Sequence, residues 1–156
     1  MNLHDFFDGV VASVAEDAAL AAWAESNFGK GVSVYMEIPS ESFPDFDDDA
    51  PFIVIGSPWR RANQERRVVE YGMEAWLGIA KSTYATRADG ATEPAGVELI
   101  IDMIETVKNA IAAGLPEGFT MALEEYTDSL AAHDYCEGFM VLDFSKQLTI
   151  GEDPFA

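Results

Sequence analysis

The thirteen residues "VVEYGMEAWLGIA", 68–80, constrain the fold more than any other stretch. Val69, Tyr71, Met73, Ala75, Leu77 and Ile79 occupy alternate positions, with Val68, Glu70, Gly72, Glu74, Trp76 and Gly78 between them. A helix would scatter the first six around its circumference, whereas an extended chain places them on one side. The run therefore predicts a long strand with one apolar face. Such a strand needs partner strands and a covering layer, because an isolated ribbon leaves that face in water.

The rest of the chain supplies both. "VSVYMEI" (32–38) alternates and is rich in β-branched residues, and Pro39 ends it. "PFIVIG" (51–56) is a short apolar run expected to be a buried strand, paired with 68–80 across a loop of roughly ten polar residues. "FTMALEEYTD" and "GFMVLDFSKQL" are expected to be closing strands. Leu3, Phe6, Phe7, Val10, Val11 and Val14 follow helical spacing behind a capping Asn2. "EDAALAAWAESNFG" is a second helical stretch, either continuous with the first or separate, stopped at Gly29. "AGVELIIDMIETVKNAIAAG" carries a stripe of Val97, Ile100, Ile101, Ile104, Val107 and Ile111. "PSESFPDFDDDA" and "KSTYATRADGATEP" are expected to be loops. Met36, Met73, Met103, Met140, Phe139 and Phe144 match core periodicity. The expected class is α+β: one two-layer domain over 1–156, a mainly antiparallel sheet against an N-terminal and a central helix.

Charge is distributed unevenly. The net charge is −19, with 28 acidic and 9 basic residues. Residues 1–50 carry −10, residues 51–87 carry +3 and residues 88–156 carry −12. A field of that sign opposes binding to nucleic acid or to an anionic membrane through the bulk surface. A single cysteine, Cys136, excludes an intrachain disulfide and fits a reducing compartment. With no basic n-region and no long apolar run, the chain reads as soluble and unexported.

The sequence is poor in catalytic signals. It has neither a glycine-rich phosphate loop nor a nucleophile elbow, so no enzyme activity is expected. His133 and Cys136 could supply two metal ligands where a zinc site needs three or four. Asp45, Asp47 and Asp49 match the first positions of a calcium loop, but Ala50 and Gly56 stand where its glycine and glutamate belong. Neither a metal nor a cofactor is expected. Glu124 and Glu125 should point to opposite faces of a strand; Glu70 and Glu74 share one face but lie apart.

The positive middle is the unusual part. Arg60, Arg61, Arg66 and Arg67 cluster behind Trp59. Three readings stand: a solvated hairpin tip held by ion pairs to Glu65 and Glu70, a nucleic-acid contact opposed by the flanking field, or a contact with a protein partner or a second copy. Arginine and tryptophan are enriched where interfaces concentrate their binding energy. For the third reading the candidate residues are Trp59, Arg60, Arg61, Arg66 and Arg67, with Asp45, Asp47, Asp48 and Asp49 as a complementary acidic patch and the helix 95–113 nearby.

The order of elements, the block "VYMEIP…APFIVIG" and the closing "GFMVLDF" resemble the tail terminator, or tail completion, proteins of long-tailed bacteriophages and prophages. The resemblance covers most of the chain and implies a non-enzymatic α+β subunit of the virion tail, assembled in the host cytoplasm. It implies a ring, typically a hexamer, that caps the tail tube protein, ends its polymerisation and meets a head completion or connector protein. An acidic lumen would let DNA slide without sticking. Other neck proteins share much of this plan, and a small acidic binding module is the reading outside it.

Overall fold

A computed structural model describes residues 1–37, 43–63, 65–81, 84–86, 88–129 and 134–149. Along the chain come α1 (Leu3–Ala15), α2 (Ala18–Phe28), β1 (Ser33–Met36), the single helical turn α3 (Phe46–Asp49), β2 (Phe52–Asn63) and β3 (Val68–Ala80). Then follow β4 (Tyr84–Thr86), β5 (Thr92–Pro94), α4 (Ala95–Gly114), β6 (Phe119–Ser129) and β7 (Tyr135–Gln147). The chain has the expected α+β architecture. Its main sheet runs β1-β2-β3-β7-β6; β1 is parallel to β2 and every other pairing in that sheet is antiparallel. β4 and β5 form a small separate ribbon inside a stretch expected to be loop.

The alternation of 68–80 appears as drawn. Val69, Tyr71, Met73, Ala75, Leu77 and Ile79 are all buried beneath the helices. On β2, Ile53 and Ile55 join them, and on β7, Cys136, Met140, Leu142 and Phe144 do. Each such aliphatic or aromatic side chain removed from water contributes about 1.5–3 kcal/mol. α1 adds Phe6, Phe7, Val10 and Val14, with Phe6 stacked on Tyr71 at 4.3 Å between ring centroids. The Tyr71 hydroxyl donates to the Met1 carbonyl at 2.6 Å, so the first residue is held against the central strand.

Local chemistry sets the helix limits. The Asn2 side-chain oxygen accepts the Asp5 N–H at 2.8 Å, and Asp17 Oδ1 accepts the Leu20 N–H at 2.7 Å. The second cap resolves the open alternative in favour of two helices, because an N-cap leaves the helical conformation. Gly29, at φ 66, closes α2 in the left-handed region that glycine enters most easily.

α4 departs from its expected stripe. Ile101 is 46% exposed, whereas Met103 is fully buried beside Ile100, Ile104, Val107 and Ile111. The buried arc thus keeps Ile100, Ile104, Val107 and Ile111 but turns from Ile101 toward Met103 and Ala110. A gap in the sheet surface sets how closely this helix approaches: a Cβ at Gly138 would lie 2.8 Å from Ile104 Cδ1. Among the described residues, the helices α1, α2 and α4 supply the core of one sheet face, and none of them packs on the other.

Candidate functional site

The uncovered face is built in rows across the strands. Phe52, Gly78 and Glu137 make one row; Val54, Trp76 and Phe139 the next; Gly56, Glu74 and Val141 the third. Between Gly56 and Trp59 the register slips, so that Ser57 and Pro58 together oppose Met73. This bulge reverses the parity of β2. Without it, Trp59 and Arg61 would turn toward the helices. With it they rise on the open face, opposite Gly72 and Glu70, and Arg60 turns inward opposite Tyr71. Ser57 carries the change at φ 54, a left-handed conformation that costs a non-glycine residue roughly 1–2 kcal/mol. Proline is tolerated at such a bulge because the strand gives up a ladder hydrogen bond there anyway.

The arginine cluster is therefore divided, and its first half is strand. β2 extends to Asn63, which leaves a short turn instead of the long polar loop expected after Gly56. Trp59 lies over Gly72, where an added Cβ would meet the indole at 2.2 Å, and it remains 41% exposed. Arg61 stacks over that indole at 5.8 Å and pairs through Nε with Glu70 Oε2 at 2.7 Å. The expected local ion pair is thus present for Glu70. The hydrogen bond from Arg61, more than its charge at a distance, holds the Glu70 carboxyl below its ordinary value. Arg60 does something else: its Nε donates to the Tyr71 hydroxyl at 3.1 Å, joining the tie to Met1. Arg66 stands exposed in the turn, with its N–H bonded to Asn63 Oδ1 at 2.9 Å. Arg67, at φ 52, accepts the Leu148 N–H on its carbonyl at 2.7 Å and donates from its guanidinium to the Thr149 carbonyl. Of this cluster, Trp59, Arg61 and Arg66 face outward, beside Glu70 and, across Gly72, Asp143.

A groove occupies the other half of the open face. Its volume is 710 Å³, and Val54, Gly56, Trp76, Phe139 and Val141 form its floor. Phe43, 58% exposed, stands at one side with its ring edge-on to Trp76 at 5.5 Å. Glu37, Glu74 and Glu137 supply the charge, and no basic residue lines the groove among those described. Glu137 Oε2 accepts the Trp76 indole N–H at 2.9 Å, which holds the ring upright across the floor. Phe139 was expected in the core. It belongs here, because it alternates with buried Met140, and one strand cannot send both inward. Met36, also expected in the core, is 47% exposed on the edge strand. The signal for the groove lay in "YCEGFMVLDF": Phe139 and Val141 sit on the same parity as Glu137 and Asp143, so they share a face with acids.

The aspartate segment is a capped helical turn, not a loop. Asp45 Oδ1 accepts the Asp47 N–H at 2.8 Å, and Asp49 Oδ2 accepts the Asp45 N–H at 2.7 Å. Asp47 Oδ1 accepts the Tyr135 hydroxyl at 2.7 Å, which raises that phenol above its ordinary value. Burial first, and then the Asp49 carboxylate, raise Tyr35 likewise. Of the carboxylates expected as a patch, those of Asp45, Asp47 and Asp49 help to anchor α3 over Phe52, whose ring fills the seat left by Gly78. Asp47 and Asp48 remain exposed. Among the described residues no three acidic, histidine or cysteine side chains are grouped to hold a metal ion. His133 lies outside the described residues, and Cys136 is buried where a Cβ on Gly96 would come within 2.6 Å of its sulfur. No helix among them is long and apolar enough to cross a membrane.

These features define a two-layer α+β protein that covers one sheet face with helices and, among the described residues, leaves most of the other open, with Trp59, Arg61 and Arg66 interleaved with Glu70 and Asp143 at one end and glutamates along a groove at the other. Among solved structures, the fold is similar to that of a chain in the "Virion of native gene transfer agent (GTA) particle". The TM-score is 0.50 at 10% sequence identity, and the likeness covers 89% of this chain and 92% of that one. No protein-family model and no curated protein matches the sequence.

Proposed function

We propose that this chain is a structural subunit of a phage-like virion, and specifically a tail terminator: a ring-forming protein that caps the tail tube, ends its polymerisation and joins it to the head. The observation that carries this reading is the similarity of fold to a virion chain over nearly the whole length of both. The element order that resembles tail terminators supports it independently. The role is non-enzymatic, its place is the virion tail, and assembly occurs in the host cytoplasm.

The mechanism is geometric. A closed ring of identical subunits, typically six, needs two different patches on each, placed so that one subunit cannot satisfy itself. The row of Arg61 and Glu70 and the row of Gly56 and Glu74 are four residues apart on β3, roughly 13 Å at strand spacing. That separation exceeds the screening length of about 8 Å at physiological salt. The basic end and the acidic groove are thus available to neighbours. The large negative charge suppresses indiscriminate association and gives a ring lumen along which DNA slides.

The test is tube capping. Purified tube protein from the same particle is allowed to polymerise with and without this chain. The reading predicts tubes of limited length with ring-shaped density at one end by electron microscopy. Unchanged tube lengths with bare ends overturn it. Bare tubes together with a stable complex with head-connector protein point to another neck component.

A further inference from the structure

We infer that the groove on the open sheet face is the receptor for the basic end of a second copy of this chain, with Trp59, Arg61 and Arg66 as the inserted group. The inference deepens the ring proposed above by naming both halves of one contact. The Asp45, Asp47 and Asp49 carboxylates help to hold α3 in place, so the groove glutamates take the place of that segment as the acidic half.

Chemical complementarity chooses the occupant. The floor is apolar and aromatic, with Val54, Trp76 and Phe139, and the charge along it comes from Glu37, Glu74 and Glu137. A fitting partner presents an aromatic ring flanked by cations. Four of this chain's nine basic residues lie between 60 and 67; Arg61 adjoins a tryptophan that is 41% exposed, and Arg66 stands in the turn beside Arg61 and Glu70. Arg61 already stacks on that indole at 5.8 Å, so the pair is formed before docking and loses little freedom on insertion. Glu70, which pairs with Arg61 in the free subunit, also lies beside Arg66 in the same recess, and on docking Arg66 exchanges Glu70 for Glu74 of the neighbouring copy. A nucleic acid is repelled by the same three glutamates.

The experiment is a charge exchange read by sedimentation of the full chain at about 100 µM, a concentration that detects contacts of micromolar to weak affinity. Wild type is expected to self-associate. Glu74→Lys and Arg66→Glu, both on exposed side chains, are each expected to weaken association about tenfold, and their combination to restore most of it. Circular dichroism and urea midpoints verify that all three variants fold. A combined variant no better than the weaker single one overturns the inference. So does a monomeric wild type, and if that monomer still caps tubes, the terminator role survives without this contact. A species that stops at a dimer keeps the contact, made reciprocally, and removes the ring. A larger closed species that responds to the charge exchange keeps both.

Discussion

The two faces of the β3–β7 pair differ in what their side chains do. Met73, Ala75, Leu77, Met140 and Leu142 are covered by α1 and α4 and hold the layers together. One residue along from each, Glu74, Trp76, Phe139, Val141 and Asp143 lie on the face that no long helix covers. The first face is uniformly apolar, so it carries the hydrophobic stabilisation of the fold. The second mixes rings, acids and glycines, a composition that can meet a partner without committing the free subunit to aggregate. Under the proposed role the same backbone serves stability on one side and recognition on the other, and neighbouring residues can be used to separate the two.

The largest contrast is expected between Leu142 and Val141. Leu142→Ala opens a cavity under α4 and should lower unfolding free energy by about 3 kcal/mol, while Val141→Ala should cost less than about 1 kcal/mol. Urea denaturation of both variants checks this; equal losses would mean that the open face also carries the core. Glycines come next. Gly138→Ala forces the new methyl against Ile104 and should cost about 1–3 kcal/mol, since the packed helix must shift. Gly72→Ala displaces Trp59, whose indole can swing into solvent, so its stability loss should be smaller and its loss of assembly larger. Thermal melts and sedimentation on the same samples separate the two effects.

Arg60 and Arg61 make a finer test. Arg60→Ser removes a hydrogen bond to buried Tyr71 and should cost about 1 kcal/mol. Arg61→Ser should fall within about 0.5 kcal/mol, as surface changes do. The smallest effect is in pH. Arg61 depresses the Glu70 carboxyl, so the stability this pair adds is fully present above the ordinary value of 4.5 and is lost as pH falls through the lower folded value. Glu70→Gln should remove that acid-limb contribution, and stability measured between pH 3 and 6 at low salt should show a shallower slope for the variant. A slope identical to wild type would mean that the pair makes no difference to folding.

Much of the helix-covered face was readable in advance. The alternation of 68–80 defined β3 and its buried side residue by residue, and the spacing in 95–113 defined α4, although Ile101 lies outside the buried arc. The open face was harder, for physical reasons. A bulge adds one residue and inverts every later side chain, and nothing in "GSPWRR" other than Pro58 marks it. Trp59 and its arginines stand together in the sequence, but which of them points outward depends on that inversion. The helical turn in "DFDDD" was hidden because aspartate is a poor helix former whose value here is capping, a role visible only once Tyr135 and Phe52 are in place. The groove was hidden because its residues come from β2, β3 and β7, and only register brings Val54, Trp76 and Phe139 into one row.

If the chain assembles as proposed, the open sheet face, not the helix layer, is the surface it uses. Hydroxyl-radical footprinting read by mass spectrometry tests it directly, on the free chain and on the chain in its assembled state with tube protein. Trp59, Trp76, Phe43 and Phe139 are expected to become protected on assembly while Ile101, on the outer side of α4, keeps its reactivity. Protection of Ile101 with unchanged oxidation of the four aromatic residues would contradict it.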